Sequence, residues 1–238
     1  MRQLVVLVIL ASGLFGCQAN IEQSLQEARN LLRDGQTEQA LNLINKVVTQ
    51  AGKNAEAYNL RGSIYFSQEK YAEAEADFTK SIELDARDYR PFLNRGHVYQ
   101  AQNEPDKALA DYDKAASLNG NVADIFLNSG VVRLKKDQNK RALADLNRSI
   151  NLEKSNALAF YYRAMAKQRL SQFDEAIADL QACLVLDAQI GKAHLELAVL
   201  EHKTNQDDPP ESICIHLSRA DELGDRRAAA YLDAWCKE

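Results

Sequence analysis

The feature that most restricts the fold of this chain is a 34-residue repeat that runs through most of it. Alanine recurs at intervals of 34 residues, and a second set of small residues recurs at the same interval twelve residues earlier. The two sets are Ala40, Ala74, Ala108, Ala142 and Ala176, and Ala28, Gly62, Gly96, Gly130 and Ala164. A fixed period of about 20 to 50 residues is typical of proteins that stack one small supersecondary unit many times.

Aromatic residues follow the same register. Tyr58, Phe92, Phe126 and Phe160 each lie four residues before a small residue of the second set. Small residues allow two helices to approach closely, and aromatic side chains such as Tyr65 and Tyr99 fill the space beside the contact. With only 4 Pro and 10 Gly in 238 residues, the sequence favours helices joined by tight turns over many short strands. We therefore expect an all-α chain of helix hairpins.

This pattern resembles the tetratricopeptide repeat. Six repeats are indicated, at 21–54, 55–88, 89–122, 123–156, 157–190 and 191–227, and residues 228–238 are expected to form a C-terminal cap. The resemblance implies a right-handed α-solenoid of antiparallel hairpins, each with a helix A and a helix B, and a concave face built from the A helices. The Pro that usually closes a repeat is replaced by Ala86, Gly120, Lys154 and Ala188, which predicts less sharply fixed turns between repeats.

Three repeats carry an arginine in helix A and an aspartate 16 residues later in helix B. The pairs are Arg61 with Asp77, Arg95 with Asp111, and Arg163 with Asp179. Residues equally distant from the turn of an antiparallel hairpin face each other, so we interpret them as structural ion pairs. The alternative is a row of charges that contacts a ligand. In the fourth repeat Ser129 takes the place of the arginine, which predicts that Asp145 is freer than the other aspartates.

The first residues have the pattern of a targeting segment. A short positive start at Met1 and Arg2 precedes an apolar run, Leu4 to Leu10, and small residues follow up to Gly16. Residues 14–17 resemble the lipobox of bacterial lipoproteins, which implies a signal peptide over residues 1–16, a lipid on Cys17 and a short tether over residues 17–20. In a Gram-negative cell, Gln18 then points to the outer membrane, facing the periplasm. The alternative is a plain secretory signal in which Cys17 is incidental.

Composition and motif content exclude several classes of function. Lys and Arg number 29 against 34 Asp and Glu, for a net charge of −5, and 46% of residues are hydrophobic. A disordered chain would be less apolar, and a nucleic-acid-binding protein would be basic. His97, His194, His202 and His216 show no metal-binding spacing with one another or with cysteine, and no nucleophile or phosphate-binding motif is present. We expect no enzyme activity, no metal, no cofactor and no small-molecule substrate.

The last repeat departs from the regular pattern. Residues 205–210 lengthen its turn, and Pro209-Pro210 predicts the start of a helix that runs to Leu223, followed by a last amphipathic helix from Asp225 to Lys237. Cys214 and Cys236 lie eleven residues on either side of Asp225, so a hairpin that turns there would bring them level. We predict a disulfide between them, with two buried free cysteines as the alternative. Cys183 occupies a small-residue position of helix B and is expected in the core.

The register also predicts which A-helix side chains line the concave face. The apolar positions and His97 are Phe66, Leu93, His97, Leu127, Val131, Tyr161, Met165, Leu195 and Val199, and His202 also falls on this face. One helical turn further, Lys135, Arg169 and Lys203 form a basic row in an acidic protein. They either bind an acidic group of a ligand or are three solvated charges. Asn59, Asn94 and Asn128 match only part of the family's carboxylate clamp.

These features predict a non-catalytic scaffold, anchored by lipid to the bacterial envelope, that binds an envelope protein or peptide in its groove. Its architecture is similar to pilotin-type outer-membrane lipoproteins, which implies a role in assembling an outer-membrane complex. The alternative function is an adaptor or regulator that docks a cell-wall hydrolase or protease. Contact with the membrane is expected through the lipid alone, and binding to nucleic acid is not expected.

Overall fold

The structure, a computed structural model, describes residues 20–205 and 211–236. The predicted signal peptide, Cys17 and the expected helix start at Pro209-Pro210 lie outside these residues. Every regular element in the described part is an α-helix, which confirms the all-α prediction. The helices are α1 over residues 20–33, α2 Thr37–Gln50, α3 Ala55–Ser67, α4 Tyr71–Leu84, α5 Arg90–Ala101, α6 Pro105–Leu118, α7 Ala123–Lys135, α8 Asn139–Leu152, α9 Ala157–Arg169, α10 Phe173–Leu186, α11 Gly191–Thr204, α12 Ser212–Glu222 and α13 Arg227–Trp235.

Consecutive helices pack as hairpins, in which odd-numbered helices up to α11 are the A helices and their even-numbered partners the B helices. The chain divides into two compact units, the first ending at Leu118 and the second beginning at Asn119. The first unit contains the hairpins α1–α2, α3–α4 and α5–α6. The second contains α7–α8, α9–α10 and α11–α12, with α13 packed on α12. None of the helices in the described residues combines the length and apolar character needed to cross a membrane.

The close contact inside each hairpin is made by one small residue of helix A against one large residue of helix B. A Cβ atom added to Gly96 would lie 2.4 Å from Cε1 of Tyr112, and one added to Gly62 would lie 2.8 Å from Cε1 of Phe78. Where alanine replaces the glycine, as at Ala164, the residue 16 positions later is aliphatic, here Leu180 in the same core cluster. The two aromatic partners therefore require glycine. Leu146 of the fourth hairpin does so too, because its Cγ would lie 2.7 Å from a Cβ atom on Gly130, whereas Leu180 of the fifth hairpin accommodates a methyl group.

The turns within hairpins share one backbone conformation. At five positions that are 34 residues apart, φ lies between +55° and +75°. These residues are Gly35, Glu69, Asn103, Asp137 and Ser171. Only the first is a glycine, so four of these turns hold an L-residue in the left-handed region that sterically favours glycine. Gly35, Asn103 and Asp137 are residue types that enter this region more readily than others, whereas Glu69 and Ser171 are not. At these two positions the packing of the two helices, rather than the turn residue, favours the conformation.

The turns between hairpins are fixed by side chains instead of proline. The carboxylate of Asp85 accepts a hydrogen bond from the backbone N–H of Arg87 at 3.0 Å, and Asp187 accepts one from Gln189 at 2.8 Å. Asn119 makes the same contact with the N–H of Asn121 at 3.1 Å. Such local side-chain bonds stabilise turns, so the missing prolines do not leave these three turns without a constraint.

We predict that Gly96→Ala destabilises the protein by about 2 kcal/mol, despite the better helix propensity of alanine, because the buried Tyr112 ring has no space to move away. Adding Tyr112→Leu to this variant should restore part of the lost stability, since a leucine already faces Ala164 in the fifth hairpin. The free energy of unfolding in urea measures both effects. Gly52→Ala is the matched control, because its Cβ would meet only Val48 O, at 3.7 Å. Equal losses at Gly52 and Gly96 would contradict the packing argument.

Candidate binding surface

The predicted concave-face residues of the first unit pack against one another more than the sequence pattern indicates. The ring of His97 lies 6.4 Å from that of Phe66 and 5.7 Å from that of Tyr112, measured between centroids. Phe66 also contacts the ring of Tyr71 at 5.9 Å. Phe66, His97 and Leu93 are all half-buried. The contact between Phe66 and His97 joins α3 to α5, and their contacts with Tyr71 and Tyr112 join these helices to α4 and α6.

In the second unit the same positions are also half-buried. Leu127 and Met165 pack against the core cluster formed by α7, α8 and α9, and Val131 is partly exposed. Tyr161 packs edge-on against Tyr162, with ring centroids 5.2 Å apart, and burial raises the pKa of its hydroxyl to about 12. Tyr161 therefore stays neutral at physiological pH and can act as a hydrogen-bond donor with an apolar ring.

Two predicted groove residues prove to be part of the C-terminal core. Leu195 is only 1% exposed and packs in a cluster with Leu217 and Ala228, so its prediction as a groove residue is wrong. Val199 packs against the same cluster. The cause is α13, which covers the side of α11 that would otherwise face solvent. His202 is covered in the same way, because its ring stacks on Trp235 at 3.8 Å.

Beside this cap lies a cavity of about 590 Å³ that includes one predicted groove residue, Tyr161. Its walls come from the end of the α10–α11 turn, the first turn of α11 and the α12–α13 turn. The other lining residues are Ile190, Gly191, Lys192, Leu223, Gly224, Asp225 and Arg227. The lining therefore combines apolar side chains with charges of both signs. This combination is suited to binding a ligand that has an apolar side chain with polar groups around it.

The predicted basic row is engaged within the chain to different degrees. Lys135 is exposed at the end of α7. The Arg169 guanidinium donates to the backbone carbonyl of Leu134 and, at 3.1 Å, to the carboxylate of Asp137. The Lys203 ammonium lies 4.0 Å from the centre of the Phe173 ring. Arg169 and Lys203 therefore already have intramolecular partners.

The predicted arginine–aspartate pairs each form a two-bond ion pair. Nε and Nη2 of Arg61, Arg95 and Arg163 donate to the two carboxylate oxygens of Asp77, Asp111 and Asp179 at 2.6 to 2.9 Å. The aspartate side chains are only 6 to 9% exposed. These hydrogen bonds raise the pKa of Arg61 and Arg95. The pairs lie between helices rather than on a ligand-accessible row.

The remaining nitrogen of each arginine contacts the preceding B helix, a contact that the sequence pattern did not predict. Nη1 of Arg61 donates to Asn45 Oδ1 at 3.1 Å, and Nη1 of Arg95 donates to Thr79 Oγ1 at 3.0 Å. In the second unit, Nη1 of Arg163 donates to Asn147 Oδ1 at 2.9 Å. All three acceptors lie 16 residues before the arginine. We call each group of three residues an arginine clamp, since it joins one A helix to two B helices.

The expectation that Asp145 is freer is wrong. Arg133 forms a salt bridge with Asp145 and donates to Ser129 Oγ at 2.8 Å. Residue 133 lies one helical turn beyond residue 129, on the same face of α7. The fourth repeat therefore supplies its arginine from a different position, and both side chains remain mostly buried.

The cysteines and two histidines lie in the C-terminal hairpin and its surroundings. Cys214 and Cys236 are joined in a disulfide, with Cα atoms 5.7 Å apart, and Cys183 is fully buried in the core.

His194 Nε2 donates to the backbone carbonyl of Ala188 at 3.2 Å, which leaves its Nδ1 to accept a hydrogen bond from His216 Nδ1 at 2.9 Å. The two rings cannot both be charged, because two protonated Nδ1 atoms would leave no acceptor for the hydrogen bond between them. In the described part of the chain, no group of three or more potential ligands could hold a metal ion.

Comparison with known proteins identifies the repeat. The family model of the tetratricopeptide repeat matches residues 55–88 and 89–122. No curated protein sequence matches the chain. Solved structures with the same fold include one of Pseudomonas aeruginosa pilF, with a TM-score of 0.82, 18% identity and coverage of 92% of this chain and 99% of that one. At this identity the likeness is evidence of fold, and it confirms the predicted class, stacked tetratricopeptide-type hairpins.

Two further structures show the range of proteins that share this fold. YrrB, described as a TPR protein with an unusual peptide-binding site, has a TM-score of 0.68 and 22% identity, over 80% of this chain and 97% of that one. A chain of the APC/C hetero-tetramer Cut9-Hcn1 has a TM-score of 0.73 and 17% identity, over 90% of this chain and 42% of that one. The first is described by its peptide-binding site, and the second is part of a hetero-tetramer.

We predict that Arg95→Met destabilises the protein by about 3 kcal/mol, because it leaves the Asp111 carboxylate buried without its cation. The double variant Arg95→Met/Asp111→Leu should recover most of this loss, since the uncompensated charge is removed as well. Chemical denaturation of the single and double variants measures the coupling. The exposed pair Lys80–Glu83 is the control, and Lys80→Met should have little effect. If the stability losses of Arg95→Met and Asp111→Leu simply added up in the double variant, the two residues would not stabilise the protein as a pair.

We predict that the protein loses stability as the pH falls below about 6.5, the ordinary histidine pKa. Burial lowers the pKa of both His194 and His216. The two histidines therefore bind protons more readily in the unfolded chain than in the folded chain. Their contribution to stability is fully present above the histidine pKa of the unfolded chain, and it is lost as the pH falls towards the lower histidine pKa of the folded chain. In His194→Phe/His216→Leu, thermal unfolding followed from pH 8 to 5 should show a smaller decline. If the unfolding temperature of this variant fell with pH as much as that of the unchanged protein, other groups would be responsible for the pH dependence.

Proposed function

We propose that this protein is a non-catalytic scaffold that binds a segment of a partner protein through the A-helix side chains of its hairpins. The observation that supports this most directly is the 590 Å³ cavity beside Tyr161. A half-buried aromatic ring, apolar walls at Ile190 and Leu223 and charged groups at the rim are the features of a pocket that accepts one apolar side chain of a peptide. The tetratricopeptide fold and the peptide-binding description of YrrB support the same function.

The proposed location is the bacterial envelope, with the protein held by lipid on Cys17. This part of the proposal rests on the lipobox-like residues 14–17 and on the positive start and apolar run before them. Several acyl chains give a stable anchor where one chain does not, because each buried methylene contributes about 0.8 kcal/mol. The disulfide between Cys214 and Cys236 suits an oxidising compartment outside the cytoplasm.

Within the envelope, we propose that the scaffold assists assembly of an outer-membrane complex, as pilotin-type lipoproteins do. The similarity to P. aeruginosa pilF extends over 92% of this chain and supports a shared architecture. An adaptor that docks a cell-wall hydrolase or protease would use the same surface. The identity of the partner captured at this surface distinguishes the two roles.

We expect a photoreactive phenylalanine at Tyr161 to crosslink one envelope protein in living cells, because this position lines the cavity and is partly exposed. Mass spectrometry of the adduct identifies an outer-membrane component or a hydrolase. The same residue at Gln181, exposed on the B helix α10, is the matched control and should give no specific adduct. In Cys17→Ser the protein should leave the membrane fraction and the adduct should weaken. Equal adducts at positions 161 and 181 would contradict the proposed surface.

A further inference from the structure

The hairpin turn between α7 and α8 carries a concentration of positive charge in this acidic protein. Lys135 ends α7, and Lys136 follows it as the C-cap residue. Lys140 and Arg141 lie in the first turn of α8, and Arg169 reaches this turn from the end of α9. Asp137 is the acidic residue within this group. We call these five basic residues the basic turn. It lies wholly within the second unit.

Some cations of the basic turn lie where the dipole of their own helix favours a positive charge, and others lie where it does not. Lys135 and Arg169 lie in the last turns of α7 and α9, where the negative end of the helix dipole favours a cation. Lys140 and Arg141 lie at the positive end of α8, where a cation is disfavoured. Among the first five B helices, α2, α4, α6 and α10 have an acidic residue in their first turn, whereas α8 has none. Lys140 and Arg141 therefore do not serve the stability of their own helix.

The neighbourhood does not neutralise these two cations. Both side chains are exposed, and neither forms a salt bridge with any residue in 20–205 or 211–236. The nearby carboxylate, Asp137, is engaged by Arg169. Two exposed cations thus stand next to each other at the start of α8, where an external anion would pair with them.

Two residues of the basic turn, Lys140 and Arg141, line a recess, which indicates the shape of the partner. A cavity of about 400 Å³ is lined by Asp137, Gln138, Asn139, Lys140, Arg141 and Leu170. Leu170 contributes an apolar side chain to this lining, and Lys140 and Arg141 line the same recess. A flat membrane surface would leave such a recess unfilled, whereas a peptide side chain can enter it while flanking carboxylates meet the cations.

We infer that the basic turn is a second docking site, distinct from the Tyr161 cavity, for an acidic protein segment that places an apolar side chain against Leu170. Carboxylates on either side of that apolar residue pair with Lys140 and Arg141, and Lys135 and Arg169 extend the positive field around them. Electrostatic attraction of this kind orients the partner and accelerates its association at low salt.

The test measures binding of a short fluorescein-labelled peptide, one central leucine flanked by glutamates, by fluorescence anisotropy at low salt. Lys140→Glu/Arg141→Glu should weaken binding by about tenfold or more. Lys46→Glu/Lys114→Glu is the matched control, because it changes the net charge equally at exposed sites on B helices of the first unit. It should leave the affinity almost unchanged. Equal loss in both variants would mean that only the net charge matters, and would overturn the site.

Two further measurements distinguish a peptide-docking site from a structural role of these cations and from a membrane-binding surface. Reversal at positions 140 and 141 should leave the unfolding temperature unchanged or raise it, because it places acidic residues at the start of α8. A lower unfolding temperature would assign Lys140 and Arg141 a structural role and overturn the inference. Binding of phosphatidylglycerol vesicles, but not of the peptide, would identify a membrane-binding surface instead. The photocrosslink at Tyr161 does not depend on either residue, so failure of one proposal is distinguishable from failure of the other.

Discussion

The arginine clamp is the interaction on which the order of the hairpins depends. Each guanidinium pairs with an aspartate of its own hairpin and also donates to a polar side chain of the preceding B helix, so one buried residue fixes three helices. An arginine fork can satisfy both contacts at once because its donors are planar and rigid. The clamp acts together with the small-to-large contact at Gly62 and Gly96, which sets how closely the two helices of a hairpin approach. Packing sets how close the two helices of a hairpin lie, and the clamp ties the second, third and fifth hairpins to the hairpin before each.

The hairpins were predictable from the sequence because their determinants repeat at a fixed interval. The 34-residue period identified both helices of each hairpin, and equal distance from the turn placed Arg61 opposite Asp77. The acceptors Asn45, Thr79 and Asn147 were not predictable, since their residue types vary and none is charged. Arg133 was missed for a different reason. It lies one turn away from the register position, so a search by period alone finds Ser129 and overlooks the neighbour on the same helix face.

The candidate site was less predictable, because exposure depends on what the following element covers. The pattern that places Tyr161 beside a cavity also places Leu195 at the equivalent position, where α13 buries it. Periodicity assigns both residues the same role and carries no information on the element that follows. The basic turn was missed in part because a register of A helices does not include Lys140 and Arg141, which begin a B helix. Their significance appears only when their charge is compared with the dipole of the helix they begin.

The C-terminal cap connects stability to the candidate site. α13 has nine residues and one fully buried side chain, Ala228, and isolated helices of this length are marginal in water. The disulfide from Cys236 to Cys214 holds its end, with a contribution of about 3 kcal/mol for a loop of this size, and Trp235 stacks on His202. The turn that leads into α13 provides Leu223 and Asp225 to the wall of the Tyr161 cavity, and α13 itself provides Arg227. The same cross-link that secures the core of the last hairpin therefore also positions one side of the proposed binding site.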